Sequence, residues 1–149
     1  MPPIIKILIV VLVALLLYSA FMTAMPHIRF SRIKGKMEEA VGAAMADSDE
    51  VLARELAEVC LEQKVPLVGD FFYKVRDDQG KLFYYQPETD QEKKQYKDGA
   101  FAYFLENIKR TPGQEISISI DYQVETYFPF GVYVLKQRFA HTETSTLSR

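Results

Sequence analysis

Hydrophobic residues follow three different spacings along this chain, and each spacing predicts a different element. From residue 7 to residue 25 the sequence reads ILIVVLVALLLYSAFMTAM, without charge and apolar on every helical face. With Ile4, Ile5 and the stem of Lys6 the run reaches about 20 residues, enough to cross a ~30 Å hydrocarbon core as a helix. A helix apolar all round must be covered all round, and so small a protein has nothing to cover it with except lipid. A transmembrane anchor over residues 1–27 is the expectation. Lys6 sits at the edge of the span, where its stem can snorkel. A cleaved signal peptide would have an apolar region of 7–15 residues and a small-x-small site. Here the run is longer, and Tyr18 and Met22 stand where small residues belong before Phe21 and Met25. The anchor is therefore read as uncleaved.

After Pro26 the spacing becomes helical. Ile28, Ile33, Met37, Val41, Ala44 and Met45 recur between Arg32, Lys34, Lys36, Glu38 and Glu39. This predicts an amphipathic juxtamembrane helix over 28–46, continuing the anchor past a kink at Pro26 and serving as a stalk packed on the domain. Lying on the lipid surface is its alternative role. Asp47 with Glu50 resembles a capping box for a next helix over 49–64, with Leu52, Leu56, Val59 and Cys60 on one face and Pro66 beyond its end.

The period then drops to two. Phe71, Tyr73 and Val75 alternate with Phe72, Lys74 and Arg76; Asp77-Asp78-Gln79-Gly80 supplies a turn, and 81–86 returns as the second strand of a hairpin. Thr89 and Glu92 can cap a further helix, in which Phe101, Phe104, Leu105 and Ile108 fall at helical spacing as far as about Arg110, with Gly99 weakening its continuity. Thr111-Pro112-Gly113 closes it. Residues 115–128 alternate most regularly of all: Ile116, Ile118, Ile120, Tyr122, Val124 and Phe128 on one face, Ser117, Ser119, Asp121, Gln123 and Glu125 on the other. That describes an antiparallel strand with one wet face. Pro129-Phe130-Gly131 turns the chain and 132–140 returns. The expected fold class is α+β: a transmembrane helix with a stalk, then a small two-layer domain over 47–141 in the order α-β-β-α-β-β. Its helices lie on one face of an antiparallel sheet. The Ser/Thr-rich residues 142–149 read as a flexible tail.

Composition adds location to this outline. After the anchor is set aside, 149 residues leave one domain, large enough for a core without metals or disulfides. Residues 1–36 hold Lys6, Arg29, Arg32, Lys34 and Lys36 and no acid; the other 13 bases face all 20 acids, a net of −7. The basic collar suits anionic lipid head groups, and the acidic remainder argues against a nucleic-acid partner. Four bases after the span against Lys6 and the α-amine before it favour a cytoplasmic domain on a positive-inside count. A short, acid-free, basic start instead resembles an export signal-anchor, and we adopt the extracytoplasmic side.

The residues that carry chemistry are sparse. His27 lies in the basic collar, and His141 ends the last expected strand without a metal-ligand set around it. Cys60, the single cysteine, falls on an apolar helix face and reads as a small core residue. Asp77-Asp78-Gln79-Gly80 lacks the alternating oxygen ligands of a calcium loop. Asp121 and Glu125 share a strand face without forming a distinctive acid/base pair. Lys93, Lys94 and Lys97 with Tyr96 are offset by Asp90, Glu92 and Asp98, giving a solvated helix face. No Gly-rich phosphate loop or Gly-x-Ser-x-Gly occurs. No catalytic residue, cofactor site or metal site is expected. The surplus of aromatic residues (ten Phe, nine Tyr, no Trp) is the remaining feature. Phe72, Phe83, Tyr85, Tyr127, Phe130 and Tyr133 exceed what one sheet face hides and form a candidate interaction patch.

The closing pattern Tyr122-x-Val124, Pro129-Phe130, Phe139-x-His141 behind a membrane helix and a short amphipathic helix resembles a family of small uncharacterised bacterial single-pass membrane proteins. The detail covers the last twenty-five residues or so, and the polar stretch 87–97 departs from the family's layout. The resemblance implies a bacterial inner-membrane location and no known catalysis. The expected function is a non-enzymatic, membrane-anchored interaction or assembly protein, an accessory subunit of a larger membrane complex, with the bilayer and a protein or second copy as partners. A self-assembling ring-forming or pilin-like component is the alternative, although the chain lacks a basic leader ending in Gly and the early Glu of pilin helices. An enzyme with an unrecognised site, using His141 or a lone carboxylate, is the third.

Overall fold

One helix, α1 (Pro3–Gly42), carries both the apolar run and the stalk, with Pro26 inside it. The computed structural model of the chain describes residues 1–68, 71–72, 74–76, 79, 82–111, 115–128 and 133–146, with the backbone alone for 74–76 and 82–84. Among these, α1 is the one helix long and apolar enough to cross a membrane, and its most apolar window is wholly unburied by the domain. Its second half is buried along a stripe: Pro26, Ile33, Met37, Ala40 and Val41. Ile33 and Met37 have no exposed surface at all. Ile28 and Met45, expected on that stripe, are exposed, because the true phase runs through Pro26, Phe30, Ile33 and Met37 at spacings of four and three.

Helix α2 (Asp49–Glu62) is capped by Ser48, whose Oγ accepts from the Val51 N–H at 3.4 Å, with Asp49 and Glu50 in the first turn against the positive end of the helix dipole. Asp47 was the expected cap. Its N–H instead donates to the Ala43 carbonyl at 2.9 Å, so residue 47 is still closing the turn after α1. At the other end, the Lys64 N–H donates to the Leu61 carbonyl at 3.2 Å and the Val65 N–H to the Cys60 carbonyl at 3.0 Å. These are the two bonds of a Schellman ending, and Lys64 has φ 56° at the left-handed position usually given to glycine.

Strands β1 (Lys74–Arg76) and β2 (Leu82–Tyr84) pair antiparallel with Val75 opposite Phe83, as the hairpin pattern predicts, but they form a sheet of their own. Helix α3 (Asp90–Asn107) starts at Thr89, whose Oγ1 accepts from the Glu92 N–H and donates to its Oε1, both at 3.1 Å. It runs through Gly99 because a Cβ there would stand 2.6 Å from Val68 Cγ1; glycine lets the 68 segment lie against the helix. It stops three residues short of Arg110. Asn107 Nδ2 donates to the Tyr103 carbonyl at 2.7 Å, and the chain turns into a short strand, β3 (Ile108–Thr111). Ile108 satisfies its apolar character as a buried strand residue instead of as the last helical one.

Strands β3, β4 (Glu115–Tyr127) and β5 (Val134–Thr146) form the main antiparallel sheet in that order, with Ile108 opposite Ile118 and Tyr122 opposite Phe139. The even-numbered face of β4 buries Ile116, Ile118, Ile120 and Tyr122 beneath α1, α2 and α3, completing one contiguous core with Leu52, Leu56, Cys60, Tyr96 and Phe104. Thr126 is the buried residue where the alternation passes through a polar position. Mixed α+β with helices over one antiparallel sheet is thus the architecture. Among the described residues, two sheets and an added strand stand in place of the expected single sheet of two hairpins. The expected tail differs over 142–146: Thr142, Thr144 and Thr146 pair with Ser119, Ser117 and Glu115, extending β5 through residue 146, while 147–149 lie outside the described residues. Threonine is a strong strand former, and the start of β4 needs a backbone partner there. The turns expected at 112–113 and 129–131, and all of 77–80 except Gln79, lie outside the described residues.

Candidate functional site

The turns of α1 on either side of Pro26 are where the apolar helix meets the domain, and a cleft of about 280 Å³ opens there. Phe21, Met22, Met25 and Arg29 from α1 form one wall. The Schellman ending of α2 forms a second through Gln63, Lys64, Val65 and Pro66, with Phe72 beside it, and Tyr122, Val124, Glu125 and Thr126 of β4 form the floor. Its lining is predominantly apolar, with Arg29, Lys64 and Glu125 as the charged members. The Glu125 carboxylate accepts from the Tyr127 hydroxyl at 2.9 Å. Among the described residues, neither Arg29 nor Lys64 makes a side-chain hydrogen bond or ion pair. Burial pushes the Tyr122 phenol well above the usual tyrosine range, partly opposed by the Arg29 charge. A space with greasy walls and two unpaired cations suits a molecule with an apolar body and an anionic end.

Above the cleft, α1 is seamed to β5 by aromatic and imidazole rings. Phe30 lies 5.0 Å from Phe139, 6.0 Å from Tyr122 and 6.4 Å from His141, and His27 meets Phe139 edge-on at 5.1 Å. Gln137 Nε2 is 3.1 Å from His27 Nε2, and His141 Nε2 is 2.6 Å from Glu143 Oε1. Both histidines therefore face the same seam, His27 against Phe139 and His141 against Phe30, which their separation of over a hundred residues conceals. Among the described residues no cluster of three or more His, Cys, Asp or Glu side chains could hold a metal ion. Cys60 is buried, and desolvation pushes its thiol far above the usual range, as suits a core residue.

The basic collar divides. Lys6 is exposed on the apolar run. Arg32 donates to Gln63 Oε1 at 3.3 Å, Lys34 sits 5.3 Å from the Phe30 ring, and Lys36 lies 3.3 Å from Glu39 and 3.8 Å from Glu55. These three fasten the stalk to itself and to α2, leaving Arg29 as the collar cation that faces the cleft. The aromatic set divides too. Phe72 is buried and meets Tyr96 edge-on at 5.2 Å, while Tyr85 stacks on Phe71 at 5.1 Å and donates to Glu92 at 3.1 Å. Tyr133 stacks on Phe128 at 6.1 Å and is 59% exposed. Tyr127 is half-buried, and Phe130 and the Phe83 side chain lie outside the described residues. Tyr96 is buried within the core, so Lys93, Lys94 and Lys97 have no aromatic companion from it. They border a shallow groove with Arg54, Glu58 and Asp98.

Arg110 is a residue the spacing gave no reason to single out. From β3 its Nε donates to Asp49 Oδ1 at 3.0 Å and its terminal nitrogens to the Ala44 and Asp47 carbonyls at 2.6 and 3.2 Å. It ties the sheet to the link between α1 and α2. Asp121 and Glu125 do not act together: Asp121 takes a two-pronged bond from Arg138 on the exposed sheet face, which holds its carboxyl below the usual range. No family model, curated protein or solved structure matches this chain.

Proposed function

We propose that this chain is a single-pass, membrane-anchored, non-enzymatic interaction or assembly protein, an accessory subunit of a larger membrane complex. The carrying observation is that one unbroken helix leaves residues 4–17 exposed along its apolar run and then buries Ile33 and Met37 in the domain core. Such a helix has no flexible linker, so lipid around its first half would hold the domain in a fixed position at the bilayer surface. Exposed apolar area on this scale is unfavourable in water, at about 25 cal/mol per Å², and favourable in lipid. In this reading the location is a bacterial inner membrane, with the domain on the extracytoplasmic side, in keeping with the family resemblance of the closing strands.

The test is to recover the full-length chain from cells. It is expected in the membrane fraction, resistant to alkaline carbonate, at its full mass, and cross-linked within native membranes to a second protein. A mature form beginning past Met25, release by carbonate, or recovery of monomer alone would overturn the reading. Self-assembly is the second reading, favoured by the outer edge of β5: among the described residues this 13-residue strand pairs on one side only, with β4. An open edge of that length is a template for a second copy. Rings or fibres in negative-stain images of the purified protein would favour it over a heterologous partner.

A further inference from the structure

We infer that the junction cleft holds the head group and upper chain of one anionic bilayer phospholipid. The inference rests on the anchored reading and deepens it. Residues 4–25 rise about 33 Å as a helix, so Met25 comes to the edge of the hydrocarbon core and Arg29 about 6 Å beyond, in the head-group layer. The cleft wall that begins at Phe21 and Met22 is therefore continuous with lipid, and its cations sit at the depth of phosphate.

Charge selects the ligand. Arg29 and Lys64 line the space without partners among the described residues, and Glu125, the one acidic residue among the described lining residues, is already bonded to Tyr127. Two cations against one carboxylate among the described lining residues complement a phosphodiester carrying no compensating ammonium. A volume of about 280 Å³ suits a head group and the start of one chain, since whole drug-sized ligands occupy ~300–1,000 Å³. Backbone geometry points to the same place. Among the described residues, the non-glycine residues at positive φ are Lys64 and Phe72, at 56° and 65°, and both line this cleft. Glycine would adopt the Lys64 conformation without strain, so lysine there disfavours the fold locally while keeping a cation at the cleft mouth.

Native mass spectrometry of the full-length protein released from detergent tests this, with dioleoyl phosphatidylglycerol, phosphatidylethanolamine and phosphatidylcholine as probes and inorganic phosphate as competitor. One phosphatidylglycerol should bind per chain, about tenfold more tightly than either zwitterionic lipid, and millimolar phosphate should not displace it. Lys64→Gly and Arg29→Gln should each weaken it about fivefold; the first relieves backbone strain, so its loss of binding cannot come from misfolding. Equal binding of the three lipids, displacement by phosphate, or indifference to both substitutions would overturn the assignment. Flotation with pure phosphatidylcholine vesicles separates the two readings. A chain that floats but shows no lipid preference keeps its anchor and loses this site, whereas one that does not float loses both.

Discussion

Removing the Arg110 side chain should unfasten the sheet from the α1–α2 link. The guanidinium makes one charge-assisted bond to Asp49 and one each to the Ala44 and Asp47 carbonyls, and its side chain is 27% exposed. The ion pair, with Asp49 at 36%, is worth less than about 1 kcal/mol at that exposure. Each carbonyl bond to a charged donor is worth about 1.5–3 kcal/mol where buried, and about 0.5–1 where water can replace the donor. Arg110→Ala should therefore cost about 2 kcal/mol, lowering the melting temperature by roughly 10 °C for a folded unit of about 100 residues. Lysine cannot reproduce a three-pronged geometry, and Arg110→Lys should recover less than half of the loss. The assay is thermal unfolding of the full chain in detergent, followed by near-ultraviolet circular dichroism of its tyrosines, eight of the nine of which lie in the domain and only Tyr18 in the apolar run. A double-mutant cycle with Asp49→Asn should give a coupling below about 1 kcal/mol. If Arg110→Ala cost under about 0.5 kcal/mol, or if the Asp49 coupling accounted for the whole loss, the carbonyl clamp would be refuted.

Four further outcomes rest on other contacts of the fold, each checked on the full chain. Tyr96→Phe removes the hydroxyl that donates to the Val65 carbonyl at 2.5 Å, leaving the Leu67 N–H on that oxygen at 2.9 Å, and should cost about 1 kcal/mol in denaturant unfolding. Gly99→Ala gains about 1 kcal/mol of helix propensity but drives a methyl into Val68, a steric cost of about 1–3 kcal/mol, so the protein should lose roughly 1 kcal/mol instead of gaining stability. Lys64→Gly should stabilise by about 1 kcal/mol by relieving the left-handed cap, a gain read from the urea midpoint at unchanged slope. Asp121, held by Arg138, has a folded pKa below its ordinary 3.8, so its contribution is present above that value and is lost as pH falls through the lower folded one. A carboxyl NMR titration should place its midpoint below 3.8 and return it toward 3.8 in Arg138→Gln.

The long apolar helix, the helix beginning at Thr89 and the long strand β4 were legible in the sequence because each is decided by neighbours within a few positions. An uncharged apolar run favours one continuous helix, a Thr-x-x-Glu pair satisfies its own helix end, and thirteen alternating residues have one flat conformation that sorts them. Cys60 as a core residue, and Ile33, Met37 and Val41 as the buried stripe of the stalk, followed from the same local logic. What remained undecided depended on partners far along the chain. Ile108 suits a helix by spacing, yet becomes a strand because Ile118 pairs with it. Residues 142–146 have too little apolar character to predict a strand, and are ordered by the free backbone of β4. Ser48 takes the cap because Asp47 is still bonded back to Ala43. The junction cleft, the histidines set against Phe139 and Phe30 and the Arg110 clamp join segments tens of residues apart. Local pattern governs which conformation a segment prefers; only packing sets which segments become neighbours, and the cleft consists of such neighbours.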